Sequence, residues 1–437
     1  MKNKQLRLKP LAISTGIALF LLSTAFIANN VRGTFGNRSA SDMQAENDYL
    51  ASLRVDPKTG EVPQADYMRA LSEVNKMQKA SLTKGANTSD FNWEICGPDD
   101  VAGRMRALVE FNGYLYAGSP DGGIWRTAKE NSSFVWNKIS TEFYNVSCMY
   151  TDGTTLYVGT GEGFYSESFN LLPGFKGTGL YSSTDGENFT LIDGTSDWFY
   201  ISKIAKSGST IYVATSEGLM KSNGDGTWTT MVQGDCSDVT SAGNYTLAFV
   251  DSLSYRAANG GNFEVISTLP QDSIGRVTFA IAPTDENIVY ATAICRFDNP
   301  NTKSYNEIGT LYNIYRSDDA GVNWHIVGPG NGWTMFYVFN GNGLYSTAML
   351  VDPNNPNRLY VGGMDLWEGN KVEGNEIFQW TQRTSAENYS SLAYVPQNHF
   401  QYYYLNGTIY IACENGIYSS FKTGSLLLSS SHNINLI

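Results

Sequence analysis

Charged residues are scarce in this chain of 437 residues, where Asp, Glu, Lys and Arg together make up 16% of the sequence. The chain instead has 13% aromatic residues and 43 glycines, a composition that suits short strands joined by tight turns and not a helical or disordered protein. Basic residues are in the minority, 30 against 42 acidic residues, so that the net charge is −12. This balance argues against a nucleic-acid function, because phosphate binding requires clustered Lys and Arg.

Residues that bind metals or act as nucleophiles are equally few. The three histidines, His325, His399 and His432, are scattered, and the spacing of the five cysteines matches no zinc or redox pattern. The sequence contains no recognisable phosphate loop and no Cys–His dyad. It therefore predicts no metal site and no cofactor, and most cysteines are interpreted as small buried apolar side chains.

The only long apolar run is N-terminal. Basic residues from Lys2 to Lys9 precede an apolar stretch from Leu11 through Ala28, and Ser23-Thr24-Ala25 provides small residues for cleavage. This pattern predicts a signal peptide over residues 1–28 and a secreted, periplasmic or cell-surface protein. An uncleaved anchor is the alternative, and it would be the only membrane contact of an otherwise monomeric protein.

Residues 29–90 differ from the sequence that follows. Apolar residues recur at spacings of three and four within 48–53 and within 65–71, which predicts two short helices separated by a turn at 57–60. We interpret this segment as a helical stalk or linker. Residues 423–437, at the other end of the chain, form a short tail.

The octapeptide Ser317–Trp324, with the sequence SDDAGVNW, is the most informative segment. The Asp319 carboxylate can accept hydrogen bonds from backbone N–H groups of a tight turn, and Gly321 can adopt a positive φ. Trp324 supplies a large apolar face that can pack beneath the turn. Degenerate copies occur at 183–189 and 222–228, with the key residues Ser183, Asp185, Phe189, Ser222, Asp225 and Trp228. All of these residues are predicted to stabilise hairpins and not to catalyse a reaction.

A repeated strand surrounds these turns. The pattern aliphatic–Tyr–small–Gly or Ala begins at Leu115, Leu156, Ile211, Leu359 and Ile409, and its first three positions recur at Val289. A degenerate copy at 245–249 fills the longest gap. Repeats of about 40–50 residues with four short strands each are typical of propeller blades. The fold class predicted for residues 91–422 is therefore all-β, a seven-bladed propeller of four-stranded antiparallel blades. The seventh unit lacks a fourth strand, and residues 91–95 are predicted to supply it and remove the open edge.

These motifs resemble the BNR (bacterial neuraminidase repeat) or Asp-box propeller superfamily, which includes sialidases, xyloglucanase-type glycosidases, sortilin-like receptors and photosystem-assembly propellers. The segments 97–108 and 118–125 are similar to exported single-propeller proteins of the Bacteroidetes type. The resemblance covers about residues 91–422. It implies the fold but no particular activity, because this fold carries many functions.

The candidate binding residues follow from the repeat. The link from the second to the third strand and the link between blades open on one face of a propeller, and we call this the insert-bearing face. Three long links were assigned to it, 164–178, 296–310 and 364–378. The candidate residues on this face are Arg104, Arg106, Asp121, Glu162, Tyr165, Glu217, Arg296, Asp365, Trp367 and Glu414. The alternative interpretation is that the acidic residues only form turns, since Asp and Glu before Gly are common there.

These residues favour a non-catalytic module that binds a glycan or a protein segment. A glycoside hydrolase of the sialidase-like class is one alternative, with Asp121 and Asp365 as the candidate catalytic acids. The Arg-Ile-Pro element that marks the start of sialidases is absent, and xyloglucanase-type enzymes use two propellers where this chain has one. A third possibility is an assembly factor for an envelope complex that docks through the N-terminal helices.

Overall fold

The structure, a computed structural model, describes residues 103–129, 135–139, 145–163, 176–271, 273–296, 309–328, 338–339, 341–385, 395 and 397–421, and the single positions 58, 69, 73 and 76. The chain divides into two units, Met1–Val62 and Pro63–Ile437. The signal segment, the helix predicted at 48–53, the closing strand at 91–95, Tyr165 and the tail lie outside the described residues. Arg69, Glu73 and Lys76 are helical. No helix in the described part of the chain has the length and hydrophobicity that a membrane span requires.

Seven antiparallel sheets form the blades, and the seven-bladed propeller predicted from the repeat is confirmed. Blade 1 consists of β1 (Ala107–Phe111), β2 (Tyr114–Ser119), β3 (Gly123–Ala128) and β4 (Asn137–Lys138). Blade 2 consists of β5 (Val146–Thr151), β6 (Leu156–Thr160), β7 (Leu180–Ser183) and β8 (Thr190–Leu191). Blade 3 consists of β9 (Ile201–Ser207), β10 (Thr210–Thr215), β11 (Gly218–Ser222) and β12 (Trp228–Gln233).

The remaining blades follow the same order. Blade 4 consists of β13 (Cys236–Ala242), β14 (Tyr245–Val250), β15 (Leu253–Ala258) and β16 (Glu264–Val265). Blade 5 consists of β17 (Ile274–Ala282), β18 (Asp285–Cys295), β19 (Leu311–Ser317) and β20 (His325–Gly328). Blade 6 consists of β21 (Ala348–Val351), β22 (Arg358–Gly362), β23 (Leu366–Asn370) and β24 (Gln379–Gln382). Blade 7 has three strands within the described residues, β25 (His399–Leu405), β26 (Thr408–Cys413) and β27 (Gly416–Phe421).

The first strand of each blade lies innermost, and these strands contact one another in chain order around a central channel, from β1 through β25 and back to β1. Side chains of β25 complete the ring. The Gln401 side chain accepts a hydrogen bond from the backbone N–H of Leu108 at 2.7 Å and donates one to its carbonyl at 3.1 Å. The Glu110 N–H donates to the Tyr403 hydroxyl at 2.9 Å. Blades 7 and 1 are therefore joined at the channel by side chains, separately from the predicted closing strand at the rim.

The core lies between neighbouring blades, which explains the repeated strand pattern. Its tyrosines are buried: Tyr116 and Tyr290 are fully buried, and Tyr212 is 1% exposed. The small residue that ends the pattern permits close approach. A Cβ atom on Gly159 would lie 2.6 Å from the Cys148 sulfur and 2.7 Å from a side-chain carbon of Ile201, on the next blade. Packing between blades therefore selects Gly or Ala at this position.

The Ser317–Trp324 octapeptide connects β19 to β20. Asp319 accepts hydrogen bonds from the Asn323 backbone N–H at 2.8 Å, the Asn323 amide at 2.6 Å and the Ser317 hydroxyl at 2.8 Å. Gly321 has a φ of 83°, in the left-handed region that favours glycine. Trp324 donates to the Gly321 carbonyl at 3.0 Å and is 9% exposed, packed in a cluster with residues of blades 4 and 5. The turn therefore holds the outer hairpin of blade 5 together and attaches it to blade 4.

The two degenerate copies differ in how much of this pattern they keep. Asp185 accepts from the Asn188 backbone N–H at 2.8 Å, from the Asn188 amide at 2.7 Å and from the Ser183 hydroxyl at 2.9 Å, the same three kinds of donor as in the octapeptide. It also accepts from the Glu187 N–H at 2.8 Å. In the looser copy, Asp225 accepts from the Thr227 N–H at 2.9 Å, and its tryptophan, Trp228, stacks edge-on against Trp198 at 4.9 Å. Phe189 packs against the core cluster between blades 1 and 2.

One sequence assignment is wrong. Residues 364–378 were interpreted as a single insert between the second and third strands of blade 6, but β23 occupies 366–370. Only residues 363–365 connect β22 to β23, and residues 371–378 belong to the hairpin on the opposite face. The Gly-rich ends of the segment resemble turn signals. Within it, Trp367 enters the core between blades 5 and 6, and Leu366 enters the core between blades 6 and 7.

Trp324→Ala should destabilise the protein by about 3–5 kcal/mol, because it removes a buried aromatic side chain from the packing between two blades. Asp319→Ala should cost about 1 kcal/mol through lost turn hydrogen bonds. Val322 lies in the same turn and is 50% exposed, so that Val322→Ala provides the control and should change stability by less than about 0.5 kcal/mol. Urea unfolding of the three variants tests this order, and equal losses for Trp324 and Val322 would contradict it.

The same turns should weaken in acid. Hydrogen bonds from the Asn188 backbone N–H, then from its side-chain amide and the Glu187 N–H, hold the pKa of Asp185 well below its usual value. A carboxyl group with a lowered pKa in the folded state stabilises the protein above its unfolded pKa, and this contribution is lost as the pH falls below about 4. Thermal unfolding between neutral and acidic pH should therefore show a shallower acid-induced loss for Asp185→Asn than for the wild type. An identical pH dependence would exclude this role of Asp185.

Candidate functional site

The segments that precede the inner strands lie on the same face as the links from second to third strands, because adjacent strands in each blade are antiparallel. Arg104 and Arg106 precede β1, and Tyr345 precedes β21 in the same way. Asp121, Glu162 and Glu414 lie in the β2–β3, β6–β7 and β26–β27 links. These residues therefore reach the mouth of the channel on the insert-bearing face from four different blades.

Arg104 is the centre of this arrangement. Its guanidinium donates hydrogen bonds to the Tyr345 hydroxyl at 2.6 Å, to Asp121 at 3.1 Å and to Glu162 at 3.2 Å. A third carboxylate, Glu414, is 3.9 Å away and accepts a hydrogen bond from the Tyr345 hydroxyl at 3.2 Å. Burial alone would lower the pKa of Arg104, but Glu162, Tyr345 and Glu414 outweigh burial and raise it. Arg104 is thus fixed as a cation within a ring of carboxylates.

Arg106 lies deeper and is almost completely buried. It contacts Glu162 at 2.9 Å through Nε and at 2.8 Å through Nη2, and both side chains are less than 10% exposed. Its guanidinium also stacks over the rings of Phe400 and Tyr345, at 4.2 and 4.7 Å from their centroids. Glu162 therefore pairs with two arginines at once, and the two aromatic rings cover the planar face of the inner one.

Four other predicted face residues within the described part of the chain make different contacts. Glu217 is exposed in the β10–β11 turn, and its backbone N–H donates to the Thr215 hydroxyl at 3.1 Å. Asp365 accepts a hydrogen bond from the Gln382 amide at 3.0 Å. Arg296 is half-buried at the end of β18, where its backbone N–H donates to the Ser273 carbonyl at 2.8 Å. Trp367 is 7% exposed in the core between blades 5 and 6, so that it belongs to the core instead of the insert-bearing face.

The channel itself contains charged residues that the repeat pattern did not identify. It has a volume of about 470 Å³ and is lined by the inner strands of the blades, including Lys203, Asp238 and Arg276. Lys203 donates to both oxygens of Asp238, at 2.9 and 3.0 Å, and Asp238 is 3% exposed. The sequence does contain a signal for these channel residues, because charged residues occur on the otherwise apolar first strands. Side chains on such a strand alternate between its two sides, so that a charged side chain excluded from the core points into the channel.

Burial changes the titration of these groups. It raises the pKa of Asp238, and the Lys203 ammonium opposes that rise. It lowers the pKa of Arg276 to about 10, with Asp238 opposing the shift and Arg106 adding to it. Nowhere in the described ranges do three His, Cys, Asp or Glu side chains approach closely enough to hold a metal ion.

Glu162→Ala should destabilise the protein by about 3–5 kcal/mol, because it leaves the buried Arg106 guanidinium without its carboxylate. Glu187 provides a matched control. It pairs with Arg126 at 2.6 Å but is 59% exposed, and such a surface pair contributes less than about 1 kcal/mol. Denaturant unfolding of Glu162→Ala and Glu187→Ala should separate the two values. A similarly small loss of unfolding free energy in both variants would contradict this prediction, because it would mean that water solvates Arg106 as effectively as Glu162 does.

No protein-family model matches this chain, and no curated protein matches its sequence. Several solved structures, however, are similar to this chain. The chain is similar to the GH74 enzyme of Niastella koreensis, with a TM-score of 0.52 and 17% identity over 76% of this chain and 54% of that one. An ancestral GH74 enzyme gives a TM-score of 0.52 and 18% identity over 77% of this chain and 47% of its own.

A third similar structure is the extracellular domain of the one-component system BT4673 from B. thetaiotaomicron, with a TM-score of 0.50 and 12% identity over 72% of this chain and 38% of that one. The chain spans about half the length of the two GH74 enzymes and less of the third protein. At these identities the likeness establishes a shared β-propeller fold and nothing beyond it.

Proposed function

We propose that this protein is an exported, non-catalytic propeller that binds a glycan or a protein segment at its insert-bearing face. The observation that carries the proposal is the convergence of Arg104, Asp121, Glu162, Tyr345 and Glu414, from four blades, on the mouth of the channel. Stability alone does not require charged residues from three blades and a tyrosine from a fourth at one point. Binding sites commonly combine such convergent polar groups with a concave surface.

The outer carboxylates of this network are the groups that a ligand can reach. The Asp121 side chain is 45% exposed and that of Glu414 is 35% exposed, whereas Glu162 is 7% exposed. Each outer carboxylate has oxygens that can accept hydrogen bonds from sugar hydroxyls or from Lys, Arg and backbone N–H groups of a peptide. The ligand contacts are therefore assigned to Asp121 and Glu414, and the role of positioning them to Arg104 and Glu162.

The pairing of charges favours binding over hydrolysis. A retaining or inverting glycosidase needs one carboxyl group that carries a proton to the leaving group. Glu162 contacts two guanidinium groups and Asp121 contacts one, so that oxygens of both carboxyl groups are already engaged with cationic donors. An arrangement of this kind holds negative charge and suits a ligand that donates hydrogen bonds.

Membership of the BNR or Asp-box superfamily is part of the proposal. It is supported by the hydrogen bonds that Asp319 and Asp185 accept in equivalent outer hairpins, and by the packing of Trp324 and Phe189 beneath them. Export is supported by the basic and then apolar N-terminal sequence.

A glycoside hydrolase is the second candidate, and one observation favours it. Three carboxylates, Asp121, Glu162 and Glu414, surround one arginine at the channel mouth. Two carboxyl groups on either side of a bound sugar are what a glycosidase requires. Asp365, the other acid suggested by the sequence, makes none of these contacts with Arg104.

Binding of the purified protein to a panel of glycans and to a peptide library tests the main proposal. The double variant Asp121→Asn/Glu414→Gln should weaken binding of the selected ligand by roughly tenfold or more, because charge-assisted hydrogen bonds are lost without a change in side-chain shape. The control is Glu264→Gln, an exposed position on the outer strand β16 of blade 4, which should bind like the wild type.

Two results would contradict the proposal. One is hydrolysis of any glycan in the panel that is abolished by Asp121→Asn, which would establish the enzyme instead. The other is a ligand whose affinity is unchanged in the double variant, which would place binding elsewhere on the molecule. Replacement of residues 164–175 by a short Gly-Ser linker provides an independent check, and it should also reduce binding.

A further inference from the structure

The charges in the network at the channel mouth do not balance. Two guanidinium groups, those of Arg104 and Arg106, meet three carboxylates there, which belong to Asp121, Glu162 and Glu414. Within the described part of the chain, no other lysine or arginine lies within ion-pair distance of these three carboxylates. The network therefore holds one carboxylate more than it holds cations. Glu162 is enclosed between the two arginines, so that the excess negative charge belongs to the outer pair, Asp121 and Glu414.

The outer pair presents hydrogen-bond acceptors to a ligand and no donors. Asp121 contacts Arg104 through one oxygen, at 3.1 Å, and its other oxygen has no partner among the described residues. Glu414 lies 3.9 Å from Arg104, which is beyond hydrogen-bond distance, and accepts a single hydrogen bond, from Tyr345. The two side chains are 45% and 35% exposed, and each oxygen of a carboxylate can accept two hydrogen bonds. A ligand that meets this surface has to donate, and the excess negative charge favours donation from a cation.

Tyr345 determines where Glu414 lies. Burial raises the pKa of the Tyr345 hydroxyl, although Arg106 and Arg104 oppose that rise, and the hydroxyl keeps its proton at neutral pH. The hydroxyl oxygen accepts a hydrogen bond from Arg104 at 2.6 Å, so that its own proton is directed to Glu414, at 3.2 Å. The ring is held by the Arg106 guanidinium, 4.7 Å from its centroid, and by the edge-on ring of Phe400, at 5.2 Å. A ring packed in this way fixes the position of its hydroxyl, and the hydroxyl orients Glu414.

The same contacts disfavour a neutral sugar at this point. A sugar hydroxyl both donates and accepts, so that a site for it needs donors as well as acceptors. The Arg104 N–H groups are directed to the carboxylates and the tyrosine of the network itself. The rings of Tyr345 and Phe400 stack against Arg106. A neutral sugar would leave the excess negative charge uncompensated, whereas an ammonium or guanidinium group would compensate it.

We propose that the group bound at the channel mouth is the cationic side chain of an arginine or lysine in a protein segment. Asp121 and Glu414 receive it, and Tyr345 is a positioning residue that orients Glu414. This inference rests on the function proposed above and names the class of its ligand. Arg104 shows the geometry, because Asp121 and Glu414 are neighbours around its guanidinium, at 3.1 and 3.9 Å. A planar guanidinium matches paired carboxylates best, and arginine is carried by proteins and not by glycans.

Short peptides provide the first test. Isothermal titration calorimetry of the full chain compares the peptide Gly-Arg-Gly-Arg-Gly, blocked at both ends, with the same peptide containing citrulline, which has the shape of arginine without its charge. We expect a Kd of about 1 mM or tighter for the arginine peptide and binding at least roughly tenfold weaker for the citrulline peptide. Raising the salt concentration from about 0.05 M to about 0.5 M should weaken the arginine peptide by at least roughly fivefold, because salt screens exposed charges.

A double-mutant cycle tests the role of Tyr345. Tyr345→Phe keeps the ring against Arg106 and removes the hydroxyl, and it should weaken the arginine peptide by roughly threefold to tenfold. The same change should have little further effect in a Glu414→Ala background, because Tyr345 acts through Glu414. Additive losses would mean that Tyr345 does not position Glu414. Tyr404→Phe is the matched control, since its hydroxyl accepts from the Asn354 amide at 3.2 Å at the opposite end of β25, and its Kd should stay within about twofold of the wild type.

The outcomes separate this inference from the proposed function. If Asp121→Asn/Glu414→Gln weakens a neutral glycan and no basic peptide binds, the face remains a binding site and the inference is overturned. If a basic peptide binds the wild type and this double variant equally well, both proposals are overturned. Equal affinity for the arginine and citrulline peptides would also overturn the inference, as would binding of a glucosamine oligosaccharide in place of the arginine peptide. The peptide comparison uses the wild-type protein, so that it decides the question even if Tyr345→Phe fails to fold.

Discussion

The close approach of neighbouring blades is the constraint on which the rest of the structure depends. The second strand of a blade ends in Gly or Ala because the first strand of the next blade packs against it. At Gly159 a Cβ atom would collide with Cys148 and Ile201, and at Gly118 it would collide with Val146. The inner strands of neighbouring blades contact one another all round the ring and enclose a channel. Core, channel and insert-bearing face all follow from this packing.

Polar residues have different roles in the outer hairpins and on the inner strands. At the rim, Asp319 and Trp324 satisfy the polar groups of a turn and fasten it to the preceding blade, so that their chemistry is used for stability. At the centre, the first strands have one side in the core and the other toward the channel, and charged residues on them have to be compensated. Glu162, Asp238 and Asp152 provide that compensation for three cations. These ion pairs therefore lie on or beside the inner strands, and the outer turns carry the hydrogen bonds of the hairpins.

The architecture and part of the site could be predicted from the sequence, and particular residues show why the rest could not. The repeat located the second strand of every blade, including the degenerate copy at 245–249, because that strand is buried and its pattern is set by packing. The same reasoning placed Arg104, Asp121, Glu162 and Glu414 on one face. It failed for Trp367, since an aromatic residue between two glycine-rich stretches resembles a loop residue but lies in the core. It also missed Tyr345 and Phe400, because their roles depend on contacts with Arg104 and Arg106 of another blade.

The sequence by itself determined the class of fold and the number of blades, because strand periodicity and turn chemistry are local and repeat along the chain. It also determined which residues stabilise the outer turns, since Ser317, Asp319 and Gly321 interact within a few positions of one another. Only the tertiary structure decided which charges meet. Arg104 and Tyr345 are 241 residues apart in sequence and form a hydrogen bond of 2.6 Å. Contacts across a closed ring depend on the positions of all seven blades, and no local pattern in the sequence records them.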